Sequence, residues 1–124
     1  MIRVLHKNPG MVNRAQVREI EPGLSAMQAL VSPPGLEGSY IELVRIPELQ
    51  ELGVDLYVNE EGKFNGCKPS FQIFGGRDTV HGPVFFVGSN EEGETVGLTD
   101  KQLMAAHSWL RLQPQVIGMG YPKR

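Results

Sequence analysis

The run Pro83-Val84-Phe85-Phe86-Val87 constrains the fold of this chain more than any other stretch. It follows Gly82, has the length of a strand, and is apolar at every position. A half-covered strand alternates apolar and polar residues, so this one reads as buried on both faces. Other segments have the pattern of its neighbours. Ile2, Val4 and His6 alternate with Arg3, Leu5 and Lys7, and Gln16-Val17-Arg18-Glu19-Ile20 alternates again. The Asn8-Pro9-Gly10 between them is turn chemistry, which predicts a hairpin. Tyr40-Ile41-Glu42-Leu43-Val44-Arg45-Ile46 and Val54-Asp55-Leu56-Tyr57-Val58 read as further strands.

Helical spacing appears twice. Leu24, Met27, Leu30 and Val31 share one face of a helix that Pro22 opens and Ser32-Pro33-Pro34-Gly35 stops. Near the C-terminus, Thr99 fits an N-cap, Gln102 the third position of a capping box, and Leu98 with Leu103 a hydrophobic staple. Leu103, Ala106 and Leu110 form its inner stripe with Trp109 beside them, and Pro114 ends it. Pro47-Glu48-Leu49-Gln50-Glu51-Leu52-Gly53 adds one or two helical turns closed by glycine. The expected fold is a single α+β domain over residues 1–113, with a tail at 114–124. Its sheet, antiparallel or mixed, has about five or six strands and carries two main helices on one face. A chain of 124 residues buries roughly two thirds of its unfolded surface, so it needs no staple.

Charge and cysteine content narrow the function. With a net charge of −2 and no basic stripe, the chain does not look like a duplex nucleic-acid binder. One cysteine, Cys67, excludes an internal disulfide and any multi-cysteine zinc site. The start, Met1-Ile2-Arg3-Val4-Leu5, is too short for a leader's apolar region, and no run approaches the ~20 residues of a membrane span. The cytoplasm is the expected compartment, with no membrane partner.

The tetrapeptide Asn-Glu-Glu-Gly occurs twice, at residues 59–62 and 90–93. Adjacent glutamates in a turn diverge, and neither copy has the alternating oxygens of a calcium loop. A turn explains both copies: Asn accepts a backbone hydrogen bond, and Gly supplies a left-handed residue that closes a hairpin. No metal site and no cofactor are expected. His6, His81 and His107 share no metal-like spacing, and no phosphate-loop or nucleophile-elbow motif is present. Cys67 beside Lys68, with His81 as base, is the one conceivable nucleophile, but nothing around it matches a cysteine-enzyme motif. No catalytic residue is assigned.

The chemistry concentrates in residues 63–81. Lys63, Lys68 and Arg77 could hold an anion through charge-assisted hydrogen bonds. Asn65, Ser70 and Gln72 could read polar edges, Phe71 or Tyr40 could stack on a ring, and His81 completes the set of ligand-binding candidates. Gly75-Gly76 would let backbone amides approach a phosphate. The competing reading is an ordinary connection whose phenylalanines plug the core while its charges stay wet.

Several blocks together resemble one family. They are Met1-Ile2-Arg3-Val4-Leu5, Ala26-Met27-Gln28-Ala29-Leu30-Val31, Tyr40-Ile41-Glu42, Val58-Asn59-Glu60-Glu61-Gly62-Lys63, Gly82-Pro83-Val84 with Val87-Gly88, and Leu98-Thr99-Asp100. In these the chain is similar to the phage- and plasmid-borne proteins of the Domain of Unknown Function 3846 family. It departs from that pattern at Lys68-Pro69-Ser70, where a proline-proline-asparagine is expected, and in a longer turn over residues 32–38. The resemblance implies a bacteriophage or other mobile-element setting inside a bacterial cytoplasm, but no activity. The leading expectation is an anti-defence sponge that sequesters a phosphorylated, nucleotide-derived signal without turnover, alone or as a homo-oligomer. The alternatives are an inhibitor that binds a host protein, through the loop around Phe71 and Phe74, and a small nucleotide hydrolase using His81.

Overall fold

The computed structural model describes residues 1–10 and 15–114. The expected tail beyond Pro114 lies outside them. Strands β1 (Ile2–Lys7) and β2 (Gln16–Ile20) form the expected antiparallel hairpin, pairing Ile2 with Ile20 and His6 with Gln16. Helix α1 (Leu24–Val31) follows, then β3 (Ile41–Val44), a single helical turn α2 (Pro47–Gln50) and β4 (Val54–Asn59). A second hairpin, β5 (Pro69–Ile73) and β6 (Asp78–His81), precedes β7 (Val84–Ser89), β8 (Thr95–Val96) and helix α3 (Asp100–Arg111).

Six strands make one antiparallel sheet in the order β2-β1-β7-β4-β3, with β8 paired to the far end of β7. The apolar run is its central strand, flanked by β1 and β4. Val84, Phe85, Phe86 and Val87 are all buried. Because side chains alternate across a strand, the two faces have separate cores. Val4, Phe85 and Val87 pack under Met27, Leu30 and Val31 of α1. Leu5, Val84, Phe86, Leu56 and Val58 pack with Leu49 of α2, Phe71, Ile73 and Val80 of the second hairpin, and Ala106, Trp109 and Leu110 of α3. The two main helices, expected on one face, therefore cover opposite faces. A central strand apolar at every position needs cover on both faces, and here α1 shields one while α3, α2 and the second hairpin shield the other.

Three local expectations hold and two fail. The capping box of α3 is complete: Gln102 N donates to Thr99 Oγ1 at 3.1 Å and Thr99 N to Gln102 Oε1 at 2.9 Å. Leu98 is buried and Leu103 packs against the same core, as a staple should. The second Asn-Glu-Glu-Gly closes the β7–β8 hairpin: Asn90 Oδ1 accepts from the amides of Glu92 and Glu94, and Gly93 is left-handed at φ 81°. The first copy does something else. Gly62 is not left-handed, and a Cβ there would run into the carbonyl oxygen of His81. The β5–β6 hairpin was also unexpected, since its segment reads as irregular. Its turn puts Phe74, Gly75 and Gly76 at φ 54°, 67° and 88° in succession, so the glycine pair makes a hairpin and not a phosphate cradle.

Among the described residues no helix is long and apolar enough to cross a membrane.

Candidate functional site

The end of β4 organises the chemistry-bearing segment. Asn59 is buried there, its Nδ2 donating to Val31 O at the end of α1 and its Oδ1 accepting from Glu61 N. That fixes a series of tight turns through residues 60–66, with Asn65 N bonded to Glu61 O and Cys67 N to Gly62 O. Gly62 then lies against β6, and Lys63 Nζ reaches Asp78 Oδ1 at 2.9 Å. This contact holds the Asp78 carboxyl below the usual carboxylate range. The pair is exposed and contributes under about 1 kcal/mol.

The second hairpin docks on the sheet through its inner residues. Phe71 is fully buried and meets Trp109 edge to face, 5.9 Å between centroids. Between Pro69 and Phe71 the pairing with β6 shifts register, which leaves Ser70 in a bulge. Lys7, fully buried at the end of β1, fills that defect. Its Nζ donates to Ser70 O at 3.0 Å, Ser70 Oγ at 3.1 Å and Asn8 O at 3.0 Å, and it lies 5.9 Å from the Phe71 ring centroid. No carboxylate among the described residues pairs with it. Burial pushes its pKa down to about 8. The sequence pattern placed Lys7 only as a strand end, and no local signal marks it; its partner lies 63 residues away.

The nine residues proposed for ligand contact fall into separate places. Ser70, Phe71 and Gln72 are buried. Phe71 is a core residue with no face for a ring to stack on, because β5 turns it onto Trp109 and Lys7. The backbone amide of Gln72 donates to Pro114 O at 3.1 Å. Arg77 stands at the exposed hairpin turn, its Nε donating to Phe74 O. Tyr40 is 66% exposed. Lys63 and His81 line a cleft of about 400 Å³ shared with Glu42, Glu60, Glu61 and Asp78, an acidic setting. Asn65 and Lys68 line a different cleft of about 620 Å³, between residues 65–68 and the turn that follows α1.

That second cleft has an unusual lining. Pro9, Pro33, Pro34, Pro83 and Leu36 form apolar walls, while Asn8, Asn65, Ser32 and Lys68 supply polar groups. Among the described residues Lys68 is its only charged one. Cys67 also lines it, but burial pushes its thiol up, away from the thiolate. His81 Nδ1 donates to the Cys67 carbonyl at 3.0 Å. That bond ties one imidazole nitrogen to the backbone of Cys67. His6 is occupied as well: its Nε2 donates to Leu30 O at 2.8 Å and its Nδ1 accepts from Arg18 Nε at 3.0 Å. Both contacts suit a neutral ring, and burial lowers its pKa further. Among the described residues no group of three or more His, Cys, Asp or Glu could hold a metal ion.

No curated protein and no solved structure matches the chain. A family model does, and it spans the whole sheet and all of α3, from residue 2 to residue 111. The chain therefore belongs to the family described as Domain of unknown function (DUF3846).

Proposed function

We propose that this protein binds a small phosphorylated, nucleotide-like molecule and holds it without turnover. The observation that carries this reading is the proline-walled cleft of about 620 Å³, where Lys68 is the one charged lining residue among the described residues. Ligand pockets commonly enclose about 300–1,000 Å³, with mostly apolar walls and a few placed polar groups. Lys68 has no acidic partner among the described residues, so its ammonium is available to a phosphate. Asn8 and Asn65 bring amides that donate and accept, suited to base or ribose edges. Proline rings offer flat apolar surface in place of the buried Phe71. Tyr40 remains the exposed aromatic of the set, one residue after Ser39, whose amide is tied to Ser32 in the cleft wall.

The biological reading that fits such a binder is a bacteriophage or mobile-element protein acting in a bacterial cytoplasm and sequestering a nucleotide-derived defence signal. Ligand release by heat followed by mass spectrometry tests it directly: an intact nucleotide-like molecule is expected from the purified protein. Thermal-shift screening against cyclic oligonucleotides and ADP-ribose derivatives gives the second arm. A true ligand at a hundred times its dissociation constant adds about 2.7 kcal/mol of stability, and Lys68→Ala should remove most of that gain. No shift with any nucleotide, and none recovered on heating, sinks the reading.

A second reading, inhibition of a host protein, is favoured by one observation. Phe64 is 92% exposed and Phe74 45% exposed, and both border the acidic cleft. Large exposed aromatics at one place are a common mark of interaction surfaces.

A further inference from the structure

The acidic cleft is built on an open sheet edge. Strand β3 ends the strand order and pairs only with β4, so its outer side carries no described strand. On the face toward the second hairpin, Glu42 stands opposite Val58 and Val44 opposite Leu56. Val44 and Val58 there, with Ile73 and Val80 from the hairpin, form an apolar floor. Phe64, largely in solvent, and Phe74, partly so, stand beside that floor, and Phe74 holds a left-handed backbone at φ 54° that a bulky residue rarely adopts. Lys63 is already paired with Asp78, whereas Glu42, Glu60 and Glu61 have no cationic partner among the described residues.

An open strand edge accepts an extended chain, an apolar floor accepts its alternate side chains, and a rim of like charge chooses the sign of the rest. We propose that this groove docks an extended basic segment of a partner protein, paired to β3, with apolar side chains between Phe64 and Phe74 and cations on Glu42, Glu60 and Glu61. The groove shares no lining residue with the proline-walled cleft, so this proposal and the small-ligand reading stand or fall separately. It gives the protein-inhibition reading a partner of definite chemistry.

The probe is a fluorescein-labelled decapeptide of alternating lysine and valine, with an alternating glutamate–valine peptide as its charge-inverted control, read by fluorescence anisotropy. The lysine peptide should bind and the glutamate peptide should not. E42K/E61K and, separately, Phe64→Ser should each weaken binding by about tenfold or more. E91K/E92K, which makes the same charge change in the other Asn-Glu-Glu-Gly copy, should leave it unchanged. All these positions are exposed, so folding is preserved. No binding of the lysine peptide, equal binding of both peptides, equal weakening by the two charge-reversal pairs, or indifference to Phe64→Ser overturns the proposal.

Discussion

At the scale of single residues, the two Asn-Glu-Glu-Gly copies show how one tetrapeptide serves two physical needs. Gly93 is required for its backbone angle, Gly62 for its missing side chain. Gly93→Ala should cost about 1 kcal/mol, the penalty of a Cβ in the left-handed region. Gly62→Ala should cost about 1–3 kcal/mol, because the obstacle is the His81 backbone and not a side chain that can rotate away. Urea denaturation of the two variants separates the cases, and equal small losses would contradict the close approach at Gly62. Lys7 offers a second residue-scale test. Below pH 8 its ammonium is charged in both folded and unfolded chains, and folding bears the full cost of burying it. Between about pH 8 and its usual 10.5 the folded protein releases the proton first, so stability should rise with pH, by as much as about 3 kcal/mol. Cys67 and Tyr57, both pushed up by burial, act in the opposite direction over the same range. The difference between wild type and Lys7→Met isolates the lysine: the wild type should gain on the variant as pH climbs from 8 to 10.5. Parallel pH profiles would show that Lys7 does not titrate as its burial requires.

At the scale of elements, what could be read in advance follows how local each signal is. Helix α3 was legible to the residue because its start is encoded in four adjacent positions, Thr99 to Gln102. Thr99→Ala should therefore cost about 1 kcal/mol in thermal or chemical melts, because Gln102 N loses its Thr99 Oγ1 acceptor while the Gln102 side chain keeps its bonds to the residue 99 amide and to the carbonyls of Leu52 and Gly53. A loss near zero would mean that packing alone sets that terminus. The β1–β2 and β7–β8 hairpins were legible for the same reason, each carrying its own turn chemistry. The β5–β6 hairpin was not, although Gly75-Gly76 between Ile73 and Asp78 is a hairpin signal when read as a turn. Its residues depart from alternation because Phe71, Gln72 and Ile73 are all buried, between the sheet, α3 and Pro114. Reading Gly75-Gly76 as a ligand cradle followed from missing that hairpin, and so did Phe71 as a stacking platform.

At the scale of the molecule, the site is harder to read than the fold, because it forms where the two covering layers meet at one end of the sheet. The apolar run predicted a strand covered on both sides, yet nothing local tells which helix covers which side. That assignment comes from the parity of Val4 against Leu5 and Phe85 against Phe86 in the assembled sheet. Once α1 and the second hairpin take opposite faces, the turn after α1 and the turn after β4 are brought together, tied by Asn59 to Val31 and separated by the proline-walled cleft. Lys63 and Lys68, five residues apart in sequence, thereby end on different clefts. A ligand held by Lys68 would touch both layers at once, residues 32–36 from one and residues 65–68 from the other. Hydrogen exchange should then slow in both segments when a nucleotide-like ligand saturates the protein, while residues 74–78 and 90–94 exchange as before. Protection confined to residues 60–64 and 74–81 would move the ligand to the acidic groove and remove Lys68 from the site.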